Sequence, residues 1–76
     1  MNINQLFEDT TKLLKSDVES QLFPIQVVFN RHIDDINRLK ASGIPYSRMH
    51  KKASLGITLN YFYTLAYRAT TNKKPH

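Results

Sequence analysis

The sequence predicts an all-α fold, a small bundle of four helices whose last two are joined by a tight glycine turn. Three observations carry that expectation. Apolar residues recur at three- and four-residue spacing along most of the chain. Glycine and proline are few and fall between the periodic stretches, where they act as punctuation. The one run rich in β-branched and aromatic residues, Ile25 to Phe29, also fits a short strand, but nothing later in the chain offers it a pairing partner. With 76 residues the chain forms one domain, marginally stable alone, so pairing with a second copy is expected.

The first helix is expected from about Asn4 to Gln21, with Ile3, Leu6, Phe7, Leu13, Leu14, Val18 and Leu22 as its buried stripe and polar Thr10 interrupting it. Pro24 suits the first residue of the second helix, because its fixed φ and missing N–H cost nothing there. That helix runs to about Ala41, with Ile25, Val28, Phe29, Ile33, Ile36 and Leu39 inward and Arg31, Asp34, Asp35, Arg38 and Lys40 outward. Gly43 stops it. The third, about Pro45 to Ser54, is short and places Tyr46, Met49 and Ala53 on one face. After Leu55-Gly56-Ile57 the fourth begins at Thr58, a plausible N-cap, and extends to about Ala69, burying Phe62, Leu65, Ala66 and Ala69. One helical domain therefore spans residues 1–69. It consists of an N-terminal helix over 1–22 and a three-helix unit over 24–69, and a basic tail over 70–76 is expected to be disordered.

Charge is segregated along the chain. All six acids, Glu8, Asp9, Asp17, Glu19, Asp34 and Asp35, precede residue 36, beside three basic residues, Lys12, Lys15 and Arg31. The remainder carries Arg38, Lys40, Arg48, Lys51, Lys52, Arg68, Lys73 and Lys74 and no acid. Such a division points to a half that faces a polyanion and a half with another task. The competing reading is a merely solvated basic face with a tail.

Composition excludes several chemistries. Without cysteine there is no disulfide, thiolate metal site or thiol nucleophile. His32 near Asp34 and Asp35, and His50 beside Lys51, lack a third ligand at helical spacing, so no metal is expected. Ser16, Ser20, Ser42, Ser47 and Ser54 have no organised base and orienting acid nearby in sequence. The expectation is a non-enzymatic protein with no cofactor and no small-molecule substrate. No segment approaches the roughly 18 apolar residues of a membrane span and the N-terminal residues do not read as a secretory signal, so no membrane association and a cytoplasmic address are expected.

A glycine turn between two short helices, flanked by apolar residues and followed by apolar positions about six and nine residues on, is the supersecondary unit in which one helix braces and the next enters the major groove. Here those residues are Gly56, Leu55 and Ile57, Phe62 and Leu65. The stretch Gly43-Ile44-Pro45-Tyr46-Ser47-Arg48-Met49, continued through Leu55-Gly56-Ile57-Thr58 to Phe62, Leu65 and Arg68-Ala69, resembles small helix-turn-helix DNA-binding regulators of plasmids, prophages and other mobile elements. The likeness covers about residues 30–69 and leaves the N-terminal helix unexplained. It departs at one place: Lys52 stands where many such units have a small residue four positions before the glycine, with Ala53 next to it.

The resemblance implies a C-terminal helix-turn-helix that binds duplex DNA and regulates transcription. The outward face of the fourth helix, Thr58, Leu59, Asn60, Tyr63, Thr64 and Tyr67, would read bases. Arg48, Lys51, Lys52, Arg68, Lys73 and Lys74 would contact phosphates. The acidic N-terminal helix would either cover the three-helix core or pair with a second copy, giving a homodimer whose symmetry matches a palindromic site. Two other functions fit the same surface: a protein-interaction module, adaptor or inhibitor, that docks an acidic partner, and a binder of RNA or single strands that stacks bases on Tyr63 and Tyr67.

Overall fold

The computed structural model describes residues 2–73 and consists of four helices with no strand among them. They are α1 (Ile3–Ser20), α2 (Ile25–Ala41), α3 (Tyr46–Ala53) and α4 (Leu59–Lys73). The Ile25 to Phe29 run is helical, because Val28 and Phe29 fall on the same buried face as Ile33, Ile36 and Leu39.

Local chemistry explains each boundary. The Asn2 side-chain oxygen accepts a hydrogen bond from the Asn4 amide at 2.8 Å and starts α1. Gln21, at φ 57°, closes it. Pro24 and Pro45 each sit one position before their helix with extended backbone, and their carbonyls accept the first helical bonds from Val28 and Met49. The first-turn role expected for both prolines therefore shifts outward by one residue. At the end of α2, the Gly43 amide bonds to the Lys40 carbonyl and the Ile44 amide to the Leu39 carbonyl, with Gly43 at φ 100°. This is the paired closure that favours glycine, and the side chains of Leu39 and Ile44 are both buried beneath it.

One core joins all four helices. Leu6, Phe7 and Leu14 of α1 pack with Val28, Phe29, Ile33, Ile36 and Leu39 of α2, Met49 of α3, and Phe62, Leu65, Ala66 and Ala69 of α4. The packing runs in a ring, with α2 against α1 and α4, and α3 against α1 and α4. The α1 stripe differs from the expected one. Thr10 and Thr11 are buried where an interruption was expected, while Leu13 is 49% and Leu22 76% exposed. A helix turns 100° per residue, so Leu13 lies one step off the face defined by Leu6, Phe7, Thr10 and Leu14. Thr11 satisfies its buried hydroxyl by donating to the Phe7 carbonyl at 2.8 Å.

Polar side chains tie the helices together at the core's margin. His32 of α2 pairs with Asp17 of α1 at 2.7 Å, not with its sequence neighbours Asp34 and Asp35. No third metal-ligating side chain joins that pair among the described residues. Gln26 donates to the Leu65 carbonyl at 3.1 Å, and Asn37 donates to the Thr70 hydroxyl at 3.3 Å, which fixes α4 along α2. The second of these bonds explains why α4 runs past Ala69. Thr70 is anchored to α2, and the helix continues to Lys73. The remainder of the expected tail, residues 74–76, lies outside the described residues. No described helix is long and apolar enough to cross a membrane.

Candidate nucleic-acid interface

The connection between α3 and α4 is built from four local devices. Ser54 ends α3 in the left-handed region at φ 54°, its amide bonded to the His50 carbonyl at 3.1 Å. Gly56 then takes φ 76°. A Cβ there would meet nothing within 4 Å, so the position needs glycine for its backbone angle and not for room. His50 Nε2 donates to the Ile57 carbonyl, which ties the middle of α3 to the far side of the turn, and its ring stands edge-on to Phe62. Since a carbonyl only accepts, that nitrogen carries the proton. Thr58 finally caps α4, its hydroxyl accepting from the Tyr61 amide at 3.1 Å. His50, for which the sequence offered no role beyond an excluded metal site, is thus the clasp of the turn. The helix breaks at Ser54 between His50 and Ile57, so helical periodicity gives no sign of the contact.

Apolar contacts set the direction of α4. Phe62 is fully buried, with its ring centroid 5.0 Å from Phe29 of α2 in an edge-to-face arrangement and 5.9 Å from Tyr46 of α3. Leu55 and Ile57 pack half-buried against the same core. Ala53, 1% exposed, is the small residue of α3 at this junction, and exposed Lys52 is turned away from it. The departure noted at Lys52 therefore stands, with the buried small residue one position later in the chain.

With Phe62, Leu65, Ala66 and Ala69 inward, the opposite face of α4 is left to solvent. Thr58, Asn60, Tyr63, Thr64 and Tyr67 are all exposed, and Leu59 is half-buried. Asn60, Thr64, Tyr67 and Thr71 follow at i, i+4, i+7 and i+11, which confines them to a strip roughly 60° wide. Thr71 joins the strip because α4 extends beyond its expected end at Ala69. The Asn60 amide makes no hydrogen bond among the described residues, whereas the Thr64 hydroxyl donates to the Asn60 carbonyl at 3.1 Å. Tyr67 is 71% exposed. Tyr63 departs from the strip and leans on α3, its ring 5.3 Å from that of Tyr46 at 71°. Burial, and secondarily the neighbouring Tyr63, push the Tyr46 hydroxyl above its ordinary range, so it stays protonated as a donor.

The basic residues expected at phosphates do not form one group. Arg48 and Lys52 occupy the side of α3 that faces α1. The Arg48 guanidinium lies 5.1 Å from the Phe7 ring centre, and Lys52 is 3.4 Å from the Glu8 carboxylate. Together with Lys51 these side chains line an open cleft of about 420 Å3. The Glu8–Lys52 pair is half-exposed on both sides and holds Lys52 only weakly. Arg68 is exposed on α4, off the strip. The Lys73 side chain and the whole of Lys74 lie outside the described residues.

The arrangement offers hydrogen-bond donors and acceptors in a line along a helix, without an acid on that helix or on α3 and with cations at its margins. Comparison with protein-family models, with curated proteins and with solved structures finds nothing that matches this chain.

Proposed function

We propose that the chain is a sequence-specific duplex-DNA-binding transcriptional regulator, in which α3 and α4 act as a helix-turn-helix and α4 enters the major groove. The observation that carries this reading is the strip Asn60, Thr64, Tyr67 and Thr71, polar and exposed on a helix whose other face is locked to α2 and α3. A groove about 12 Å wide admits such a helix, and an asparagine amide meets adenine N6 and N7 together. The sequence resemblance to regulators of mobile elements and the acid-free basic half support the same reading. Arg48, Lys51, Lys52 and Arg68, with Lys73 and Lys74, then position the helix by contacting phosphates.

Each neutralised phosphate releases condensed counterions, so the logarithm of the binding constant falls by about 0.9 per contact for each tenfold rise in salt. Four such contacts make affinity drop by roughly 150-fold over a fourfold rise in salt. A salt titration by fluorescence anisotropy measures this, and affinity unchanged across that range rules out the phosphate contacts. Tight binding without any preference among duplexes would point instead to an acidic protein partner, and preference for single strands to stacking on Tyr67.

The protein is further proposed to act as a homodimer paired through α1, in keeping with half-sites related by two-fold symmetry. Leu13 supports this, since it stays 49% exposed on α1 after Leu6, Phe7 and Leu14 have entered the core. Sedimentation at high micromolar concentration is expected to give a dimer, and a Leu13→Asp variant a monomer. A wild-type monomer at that concentration eliminates this part of the reading.

A further inference from the structure

Outside the strip on α4, one cluster joins a cation to the same side of the molecule. Tyr46 opens α3 with its ring half-buried, tilted on Phe62 and edge-on to Tyr63. The ammonium of Lys40, from the last turn of α2, lies 4.8 Å from the centre of the Tyr46 ring. Lys40 is exposed and has no carboxylate partner among the described residues. A lysine left in water samples many rotamers. The face of an aromatic ring favours those that keep the ammonium over it. Lys40 is thus biased towards the Tyr46 ring, on the side of the molecule that carries Tyr63. It can be no farther from the Tyr63 ring centre than the Lys40–Tyr46 and Tyr46–Tyr63 separations laid end to end, which is less than the about 12 Å width of the major groove. A cation within that distance of α4 can reach the sugar-phosphate strand that borders a groove holding the helix.

We propose that Lys40, seated on the Tyr46 ring, contacts a backbone phosphate of the strand bordering the groove beside Tyr63, and that Tyr46 is its positioning residue. This inference rests on the DNA-reading role of α4. It enlarges the contact surface to the end of α2 and gives Tyr63 a purpose other than base reading, since its ring supports the platform from which Lys40 reaches out. The set of phosphate contacts then brackets α4 from two directions, with Lys40 on the Tyr63 side and Arg68 on α4 itself. Two anchors of this kind fix the rotation of the helix about its own axis, which decides whether Asn60 meets a base edge.

The experiment is a salt titration of duplex binding with wild-type protein, Lys40→Gln, Lys40→Met, Tyr46→Leu, Arg48→Gln and Lys12→Gln. Lys40→Met retains the aliphatic stem over the Tyr46 ring, and Lys12→Gln removes one charge from the exposed side of α1. Circular dichroism establishes that each variant is folded. Lys40→Gln and Lys40→Met are expected to reduce the magnitude of the salt slope by about 0.9 and to weaken binding roughly five- to tenfold at about 0.1 M salt, equally for all duplex sequences. Tyr46→Leu keeps the charge, so it weakens binding by less and leaves the slope closer to wild type. Lys12→Gln leaves slope and affinity unchanged. If the Lys40 variants match Lys12→Gln while Arg48→Gln still flattens the slope, the Lys40 contact is refuted and the reading of α4 stands. If wild-type protein shows no salt-dependent duplex binding, both fall.

Discussion

Asn60→Ala is expected to erase sequence preference while leaving the domain folded. The amide is exposed near the start of α4, two residues after the Thr58 cap, and has no hydrogen-bond partner among the described residues. Its removal therefore breaks nothing within the protein, and alanine is the better helix former by several tenths of a kcal/mol. If the amide pairs with adenine, the loss is one bidentate contact, worth about 1–3 kcal/mol, or roughly 5- to 150-fold in affinity for the preferred duplex. Binding to unrelated duplexes and the salt slope stay as in wild type, because phosphates supply both. Selection of bound duplexes from a random pool, followed by titration of wild type and variant against the winner and a scrambled site, measures all three quantities. An Asn60→Ala protein that retains the wild-type preference removes Asn60 from the reading face and, with it, the main support for base readout by this strip.

Much of the fold was legible because the information lay in local periodicity. The faces of α2 and α4 follow from apolar spacing alone, and Gly43 and Gly56 mark backbone angles that only glycine adopts without strain. The two proline boundaries were misplaced by one residue, since φ near −65° suits the cap position as well as the first turn. The α1 stripe was harder. Thr10 and Thr11 are polar by type, yet a helical threonine can return its hydroxyl to the preceding turn, as Thr11 does, and then bury its methyl group. Hydropathy therefore assigned Leu13 and Leu22 to the core in their place. What the sequence does not display is long-range. The His50–Ile57 clasp, the Asn37–Thr70 bond and the stacking of Lys40, Tyr46 and Tyr63 all join positions on different helices or across a helix break, where periodicity carries no information. The exposed strip was visible in outline, but its boundary depended on the length of α4. The basic residues were visible as a class, and their partition between the α1 cleft and the α4 margin was not.

Phe62→Ala is expected to produce the largest loss of stability of any single substitution on α4. The side chain is fully buried and meets rings from two other helices, Phe29 of α2 at 5.0 Å and Tyr46 of α3 at 5.9 Å, while His50 stands edge-on to it from the turn clasp. Truncation of a buried phenylalanine costs about 3–5 kcal/mol, and the lost edge-to-face contact with Phe29 is part of that figure. A 76-residue domain has roughly 4–11 kcal/mol of total stability at typical values per residue. The variant thus forfeits about a quarter or more of its stability, and at the lower end of that range it does not fold. Urea denaturation followed by circular dichroism should show the midpoint falling sharply with little change in slope, or no cooperative transition at all. Tyr67→Ala, from the exposed strip one helical turn and a step farther on, should stay within about 0.5 kcal/mol of wild type. The contrast decides the orientation of α4. If Phe62→Ala melts within about 1 kcal/mol of wild type while Tyr67→Ala unfolds the domain, α4 is rotated by half a turn relative to α2 and α3. In that case Asn60, Thr64 and Tyr67 face the core, and no groove can be read with them.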